Sequence, residues 1–346
     1  MSDFARHLAG LIRADGPLRL DRFMGLANAH YYATRDPLGA AGDFTTAPEV
    51  SQLFGEMIGL ALVDHWERSG APSRIRLVEL GPGRGTLMAD LLRAARVRPA
   101  FGAAAHVTLV ETSPALRARQ AATLAGTERL DWAESFETVA ADAPLYLVAN
   151  EFFDALPIRQ FVRSHGRWHE RFVGIGADGA FGFTLSPALG PAEGAGGDGI
   201  VEVNEPARAV AAAIGAWLNR TGGLALAIDY GHARSAPGDT LQAVRAHRFA
   251  DPLAEPGEAD LTAHVDFEAL ARAAGATAHG PVAQGDWLCA LGIEARATAL
   301  ARARPDRAAA LSAGLERLTG PGKMGTLFKV MALTGPGGPL PAGFGP

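Results

Sequence analysis

The stretch Val78-Glu79-Leu80-Gly81-Pro82-Gly83-Arg84-Gly85-Thr86 constrains this chain more than any other. It joins an apolar run, Arg76 to Leu80, to a helix-forming run, Thr86 to Ala95, through three glycines at alternate positions. The first run reads as a short buried strand and the second as a helix. The glycines therefore fall where a parallel sheet hands over to a helix, which is where open α/β sheets bind ligands. Glycine adopts the left-handed backbone of such a turn and leaves no Cβ between chain and ligand, and the helix start beyond it offers unsatisfied N–H groups. A tight strand-to-helix turn without a ligand uses the same residue types, so the neighbours decide between the two readings.

A dinucleotide fingerprint wants its third glycine three residues after the second, and that position is Thr86, so G-x-G-x-x-G fails. The spacing present is acidic-x-Gly-x-Gly-x-Gly, with Glu79 as the acid, which is the arrangement S-adenosylmethionine sites use. Val107-Thr108-Leu109-Val110-Glu111 supplies a second apolar strand ending in a carboxylate, well beyond the roughly 20-residue interval of NAD folds. Glu111 there can accept both hydroxyls of a ribose; taken alone it is a solvated strand end. An NAD-dependent oxidoreductase is opposed by both Thr86 and the late Glu111.

Five blocks carry a wider resemblance: Gly42-Asp43-Phe44-Thr45-Thr46-Ala47-Pro48-Glu49-Val50-Ser51, Phe54-Gly55-Glu56, Glu79 to Leu87, Asn150-Glu151-Phe152-Phe153-Asp154-Ala155-Leu156-Pro157, and Met324-Gly325-Thr326-Leu327-Phe328-Lys329-Val330. Running in family order from about residue 30 to residue 332, they resemble the MidA family, which includes the mitochondrial complex I assembly methyltransferase. The resemblance implies a class I S-adenosylmethionine-dependent methyltransferase, with S-adenosylmethionine as donor and S-adenosylhomocysteine as product. For the mitochondrial members it also implies arginine methylation on a protein substrate, a subunit of respiratory complex I. A donor-binding assembly chaperone for complex I with little or no turnover is the competing reading.

Composition excludes several classes. The chain has 346 residues, enough for one large domain or two small ones, and 48% are hydrophobic without a long uncharged apolar run, which argues against a membrane-spanning helix. The formal net charge of −5 is spread without a basic block, which disfavours nucleic acid and suits a cationic substrate such as an arginine-bearing segment. The single cysteine, Cys289, allows no internal disulfide, and its apolar neighbours suggest a buried, inert thiol. Residues 1–25 carry Asp3, Asp15 and Asp21 and look neither like a secretory signal nor like an acid-poor transit peptide, so the expected location is a bacterial cytoplasm.

Strand-like runs recur at Arg76–Leu80, Val107–Glu111, Leu130–Trp132, Leu145–Ala149, Leu224–Asp229, Thr277–Gln284 and Thr326–Ala332, with helical stretches between. This alternation predicts an α/β fold, a Rossmann-like doubly wound sheet of seven strands. An N-terminal helical cap with a cofactor-covering loop is expected over 1–73 and the methyltransferase domain over 74–334. Insertions at about 158–202 and 231–265 should build the substrate side, the first as a β-rich meander with a Gly/Ala tip at 190–199. The Gly/Pro-rich tail, 335–346, is expected to be flexible.

Methyl transfer is an in-line displacement, so the enzyme aligns donor and nucleophile and manages the nucleophile's proton. A guanidinium acceptor is a planar cation that carboxylates hold in a fixed fork. Asn150-Glu151-Phe152-Phe153-Asp154 follows a buried strand and puts Glu151 and Asp154 on one loop as candidate catalytic residues, with Asn150 as a cofactor contact. Either acid could instead cap the next segment or pair with a local base such as Arg159. The resemblance implies that Asp43 lies in a segment folding over the cofactor, contacting the donor's amino group or the incoming guanidinium; a turn role remains open. Gly81, Gly83 and Gly85 would carry the methionine moiety, Glu111 the ribose, and Asp131 and Trp132, after the third strand, the adenine, with Trp132 also readable as a core aromatic. Tyr31 and Tyr32 read equally as packing or as flanking a substrate channel. Asp229 with His232, and Asp260, Thr262 and His264, form possible rim sets, and sulfonium chemistry needs no metal.

Overall fold

The computed structural model describes residues 1–34, 46–191, 199–245 and 247–345. Asp43 and most of the Gly/Ala tip at 190–199 lie outside the described residues. The chain divides into two compact units, one of residues 1–44, 154–207 and 234–264, the other of residues 45–153, 208–233 and 265–346.

The larger unit is built on seven strands: β1 Ile75–Leu80, β2 Ala105–Val110, β3 Leu130–Ala133, β4 Leu145–Asn150, β5 Gly223–His232, β6 Thr277–Ala283 and β7 Phe328–Thr334. Their order across the sheet is β6-β7-β5-β4-β1-β2-β3. The first five run parallel to one another, and β7 enters antiparallel between β5 and β6. The seven-stranded expectation holds, with one addition: Val265–Asp266 pairs with Gly231–His232 at the end of β5. Chain order reverses between β1 and β4, so their carboxyl ends flank the crevice at the topological switch point, where ligands bind. All six residues of β4 are buried, as are Leu77, Val78, Glu79 and Leu80 of β1. Such continuous burial, rather than alternation, marks strands covered on both faces.

Among the helices that cover the sheet are α1 Ala47–Val50, α2 Gln52–Arg68, α3 Thr86–Ala95 and α4 Pro114–Thr123. The block Phe54-Gly55-Glu56 finds its physical reason here. A Cβ on Gly55 would stand 2.7 Å from Asp90 Cβ, and one on Gly59 would stand 2.6 Å from the Leu91 carbonyl oxygen, so α2 and α3 meet backbone to backbone. Beside this contact the buried Glu56 carboxylate receives Arg93 at 2.9 Å and Arg296 at 2.8 Å.

Three expectations are corrected in this unit. The last strand starts at Phe328, not Thr326, because Met324–Leu327 forms a helical turn in which a Cβ on Gly325 would lie 2.2 Å from the Thr319 carbonyl oxygen. The tail is not loose. Trp287 donates its indole N–H to Ala342 O at 3.1 Å, Arg68 bonds Leu340 O at 2.8 Å, and the Phe344 ring packs 6.3 Å from that of Trp287. Cys289 is exposed rather than buried.

The smaller unit combines helices Asp3–Asp15 and Leu20–Thr34 with an antiparallel meander, Arg159–Ser164, Arg167–Ile175, Phe181–Leu185 and Gly199–Val203, and a small sheet formed by Gln242–Arg245, Arg248–Ala250 and Asp260–Thr262. Leu18–Arg19 pairs with Phe172–Val173, tying the N-terminal helices to the meander. Leu8, Phe23, Met24, Ile158, Val173 and Leu261 share its core.

Substituting Gly59 by Ala should lower the urea midpoint. The gain in helix propensity, about 1 kcal/mol, is outweighed by overpacking against Leu91, about 1–3 kcal/mol. Gly10→Ala, where the new methyl meets nothing within 4 Å, serves as the control and should not destabilise.

Candidate active site

At the carboxyl end of β1 the chain turns through Gly81, Gly83 and Gly85 with φ of 61°, 53° and 80°, all in the left-handed region that side chains with a Cβ disfavour. Gly81 N–H donates to Val110 O at 3.2 Å, and Gly85 N–H closes the turn on Pro82 O at 2.8 Å. A Cβ on Gly81 would approach Phe152 Cδ2 to 3.2 Å, so that aromatic ring lies directly on the glycine backbone.

The helix α3 begins at Gly85, which has no side chain to cap it. Glu79 does so from the strand: its carboxyl accepts the Met88 N–H, one of the open donors of the first turn. Only 3% of Glu79 is exposed, and its Oε2 has no partner among the described residues. Burial pushes this carboxyl up to about 8 from an ordinary 4.5, the Met88 bond opposing only part of that rise.

The segment α1 is fastened to the same turn. Thr86 Oγ1 donates to Glu49 Oε1 at 2.7 Å, and Arg84 lies 3.6 Å from Glu49 Oε2. Its first residue, Ala47, donates its N–H to Glu151 Oε1 at 3.1 Å.

Glu111 follows β2 as expected. Its Oε1 accepts the N–H groups of Thr112 at 2.9 Å and Ser113 at 2.8 Å, while its Oε2 receives Gln120 Nε2 at 3.3 Å. Of roughly four acceptor directions on a carboxylate, the remaining one is on Oε2. Asp131 and Trp132 stand within β3 rather than after it. Asp131 is exposed and takes His106 Nε2 at 2.5 Å, while Trp132 donates its indole N–H to Gln120 Oε1 at 2.8 Å. The first carboxylate past the end of β3 is Glu134.

Asn150 ends β4 almost wholly buried; its amide donates to Glu151 Oε1 at 3.2 Å, and its Oδ1 has no partner among the described residues. Glu151 has φ 51°, uncommon for a residue with a long side chain and a form of strain that clusters at working sites. The loop is clamped beyond it: Glu151 N–H bonds Ile228 O at 2.9 Å, and the fully buried Asp229 accepts Phe153 N–H at 3.1 Å and Tyr230 N–H at 2.9 Å. Asp229, read from sequence as a possible rim contact, is thus the brace of this loop.

Asp154 falls in the smaller unit, buried, with its carbonyl accepting Ala263 N–H at 3.0 Å. There Tyr32 donates to Asp260 Oδ1 at 2.8 Å, and burial together with the Asp260 and Asp154 charges holds this phenol well above its usual range. Tyr31 packs edge-on against Tyr32 at 5.3 Å. Arg159 is not available to either loop acid: it forks onto Glu170, with two bonds of 2.7 Å. Thr262 accepts from Gln242 at 3.2 Å, and His264 N–H donates to Thr240 Oγ1 at 2.8 Å. No group of three or more His, Cys, Asp or Glu among the described residues could hold a metal ion, and no helix there is long and apolar enough to cross a membrane.

Sequence reasoning missed Gln120 and left Glu49 without a role. Gln120 was findable: Leu116, Gln120 and Leu124 form an i, i+4, i+8 row, so an amide sits in the middle of an apolar stripe.

Residues 57–282 match the family model described as "Putative S-adenosyl-L-methionine-dependent methyltransferase". A relative from Drosophila melanogaster, named as the mitochondrial homologue of protein arginine methyltransferase NDUFAF7, is 36% identical over 95% of this chain and 84% of its own length. The mitochondrial protein arginine methyltransferase NDUFAF7 of Homo sapiens is 36% identical over 95% of this chain and 82% of its own. A Burkholderia thailandensis protein solved bound to S-adenosyl-homocysteine superposes with a TM-score of 0.84 at 28% identity, covering 98% of this chain and 93% of that one. These names correct the expected cytoplasmic location, since the relatives are called mitochondrial. Folded-state composition does not encode compartment.

The Glu79 carboxyl yields a pH signature. Because its folded pKa, about 8, lies above the ordinary 4.5, the folded state holds the proton that the unfolded state releases, and stability falls as pH rises through that window. Glu79→Gln should flatten this fall, so melting temperatures of variant and wild type should converge at pH 5 and separate in the variant's favour at pH 8. An identical pH slope in the two proteins would mean that Glu79 is solvated.

Proposed function

The chain belongs to the S-adenosyl-L-methionine-dependent methyltransferase family of that matching model, the family its five blocks resemble, and on this premise we propose that it methylates a guanidinium nitrogen of an arginine in a protein substrate. The observation that carries the donor half of the reading is the pair of buried polar atoms without partners among the described residues, Glu79 Oε2 and Asn150 Oδ1, at the ends of neighbouring strands beside a left-handed glycine turn. Buried polar atoms without partners cost about 1–3 kcal/mol each, and the amino acid end of S-adenosylmethionine, which carries both N–H donors and a carboxylate, would satisfy them. The residues present therefore fit this donor.

When bound, the donor supplies an electrophilic methyl group on a sulfonium. The glycine turn receives the methionine end, Glu111 accepts a ribose hydroxyl on its remaining Oε2 direction, and Asp131, Trp132 or the Glu134 beyond them borders the adenine. Glu151, held in a strained conformation at the switch point, accepts from the substrate guanidinium and keeps one nitrogen directed at the methyl group. Asp43 is proposed as a further contact. Charge supports a cationic substrate: the smaller unit holds 12 basic and 17 acidic residues, the larger 20 of each, so the whole net charge of −5 resides in the smaller one. The names of the relatives support arginine as acceptor. The finer reading, a subunit of respiratory complex I, rests on the family resemblance, and mass spectrometry of complex I subunits from a deletion strain tests it.

Donor binding is checked by calorimetry with S-adenosylhomocysteine. Gly83→Val places a β-branched side chain at φ 53° and should abolish binding while the circular dichroism spectrum stays that of a folded protein; normal affinity in this variant would remove the glycine turn from the site. Turnover is checked with donor labelled on its methyl group. Glu151→Gln should keep donor affinity within about twofold and cut transfer at least about tenfold, about 1.4 kcal/mol in the barrier. Asp154→Asn and Asp260→Asn are measured separately as the carboxylates of the smaller unit. Donor binding by the wild type with no label in any protein would favour the chaperone reading.

A further inference from the structure

We propose that Gln120 is the positioning residue of the donor site, a single amide that sets the glycine turn, the ribose-binding carboxylate and the third strand in fixed relation. This rests on the donor-site reading above. Gln120 is the one residue of α4 that is buried, and it is fully so. An apolar side chain would fill that place at lower desolvation cost, since a buried amide must find partners for every polar atom. Here each has one. Nε2 donates to Gly83 O at 2.8 Å and to Glu111 Oε2 at 3.3 Å, and Oε1 accepts from Trp132 Nε1 at 2.8 Å. Turning the amide over would set its carbonyl against two oxygens and its N–H groups against an indole N–H, so one orientation survives.

The consequence falls on Glu111. Two backbone N–H groups already hold Oε1, and Gln120 holds Oε2, so the carboxylate cannot rotate and its remaining acceptor direction is fixed in advance of ligand binding. Preorganisation of this kind contributes selectivity as well as affinity. Removing the amide frees the carboxylate to turn, and the site should then distinguish a ribose from a deoxyribose less well.

The test titrates S-adenosylhomocysteine and its 2′-deoxy and 3′-deoxy analogues against wild type, Gln120→Met, Glu111→Ala and the double variant. Wild type should bind the parent at least about tenfold tighter than one of the deoxy analogues, the worth of one hydrogen bond to a charged group. Gln120→Met, which keeps length and packing, should lose about tenfold for the parent and narrow that preference to about threefold, and the double variant should lose clearly less than the two single losses multiplied together. Trp132→Phe keeps an aromatic ring while removing the indole N–H that Gln120 Oε1 accepts, together with the five-membered ring; it should shift affinity and preference in the same direction by a smaller factor, and it carries the test if Gln120→Met does not fold. A lowered melting temperature with the preference intact, or multiplicative losses in the double variant, would overturn the inference and leave the donor site standing. Failure of the wild type to bind S-adenosylhomocysteine at all would overturn both.

Discussion

The left-handed glycine turn at the end of the central strand is the constraint on which the other site features depend. A turn of this kind has no side chains with which to hold itself, and the helix behind it has no side-chain cap. Every force that fixes it must come from neighbours. Glu79 caps the helix from within the sheet, Gln120 bonds the Gly83 carbonyl, Phe152 lies on Gly81, and Glu49 reaches the turn through Thr86. Of these, Glu79 also faces the donor in the reading proposed above, while the other three act on the turn from behind, so binding geometry and local stability are set by connected bonds. The raised Glu79 carboxyl follows from this arrangement: a buried acid serves as a cap with one N–H rather than a full set of donors.

The second anchor is the loop after β4. Asn150 and Glu151 face the same switch point, yet their backbone is governed from β5, through Ile228 and the buried Asp229. Glu151 thus keeps its left-handed conformation against a local cost of about 1–3 kcal/mol, because the flanking strand bonds leave it no alternative. Its carboxylate also receives Ala47, the first residue of the short helix that Glu49 ties to the glycine turn. Polar contacts run from turn to short helix to loop within one unit, and the Phe152 ring on Gly81 closes the circuit by packing.

What the sequence disclosed followed from periodicity and from glycine. Apolar runs marked the inner strands β1, β2, β4, β5 and β7, because strands covered on both faces cannot alternate, and the glycine spacing marked the turn, because few other residues accept its φ. Positions decided by tertiary packing were less legible. Thr326 and Leu327 have strand character but sit in a helical turn forced by the approach of Gly325 to Thr319. The tail has a disordered composition but offers Trp287 a carbonyl and a ring. Asp131 and Trp132 read as the strand end facing the ligand because the weak apolar character of β3 leaves its limits undefined, whereas both lie inside it. Asp229 looks like a rim acid since sequence gives no sign that the Phe153 N–H needs an acceptor.

Gln120 shows where such reading can be extended. A helix that buries a single residue, and buries an amide, is using that position for bonding rather than packing. On an exposed helix an apolar residue would anchor equally well, and the desolvation of an amide is recovered only when all its atoms are matched. The three partners it matches come from three separate chain segments, each of which offers a candidate donor contact in the sequence. One polar residue inside an apolar stripe is therefore the mark of a joint between binding segments, and helical spacing alone is enough to find it.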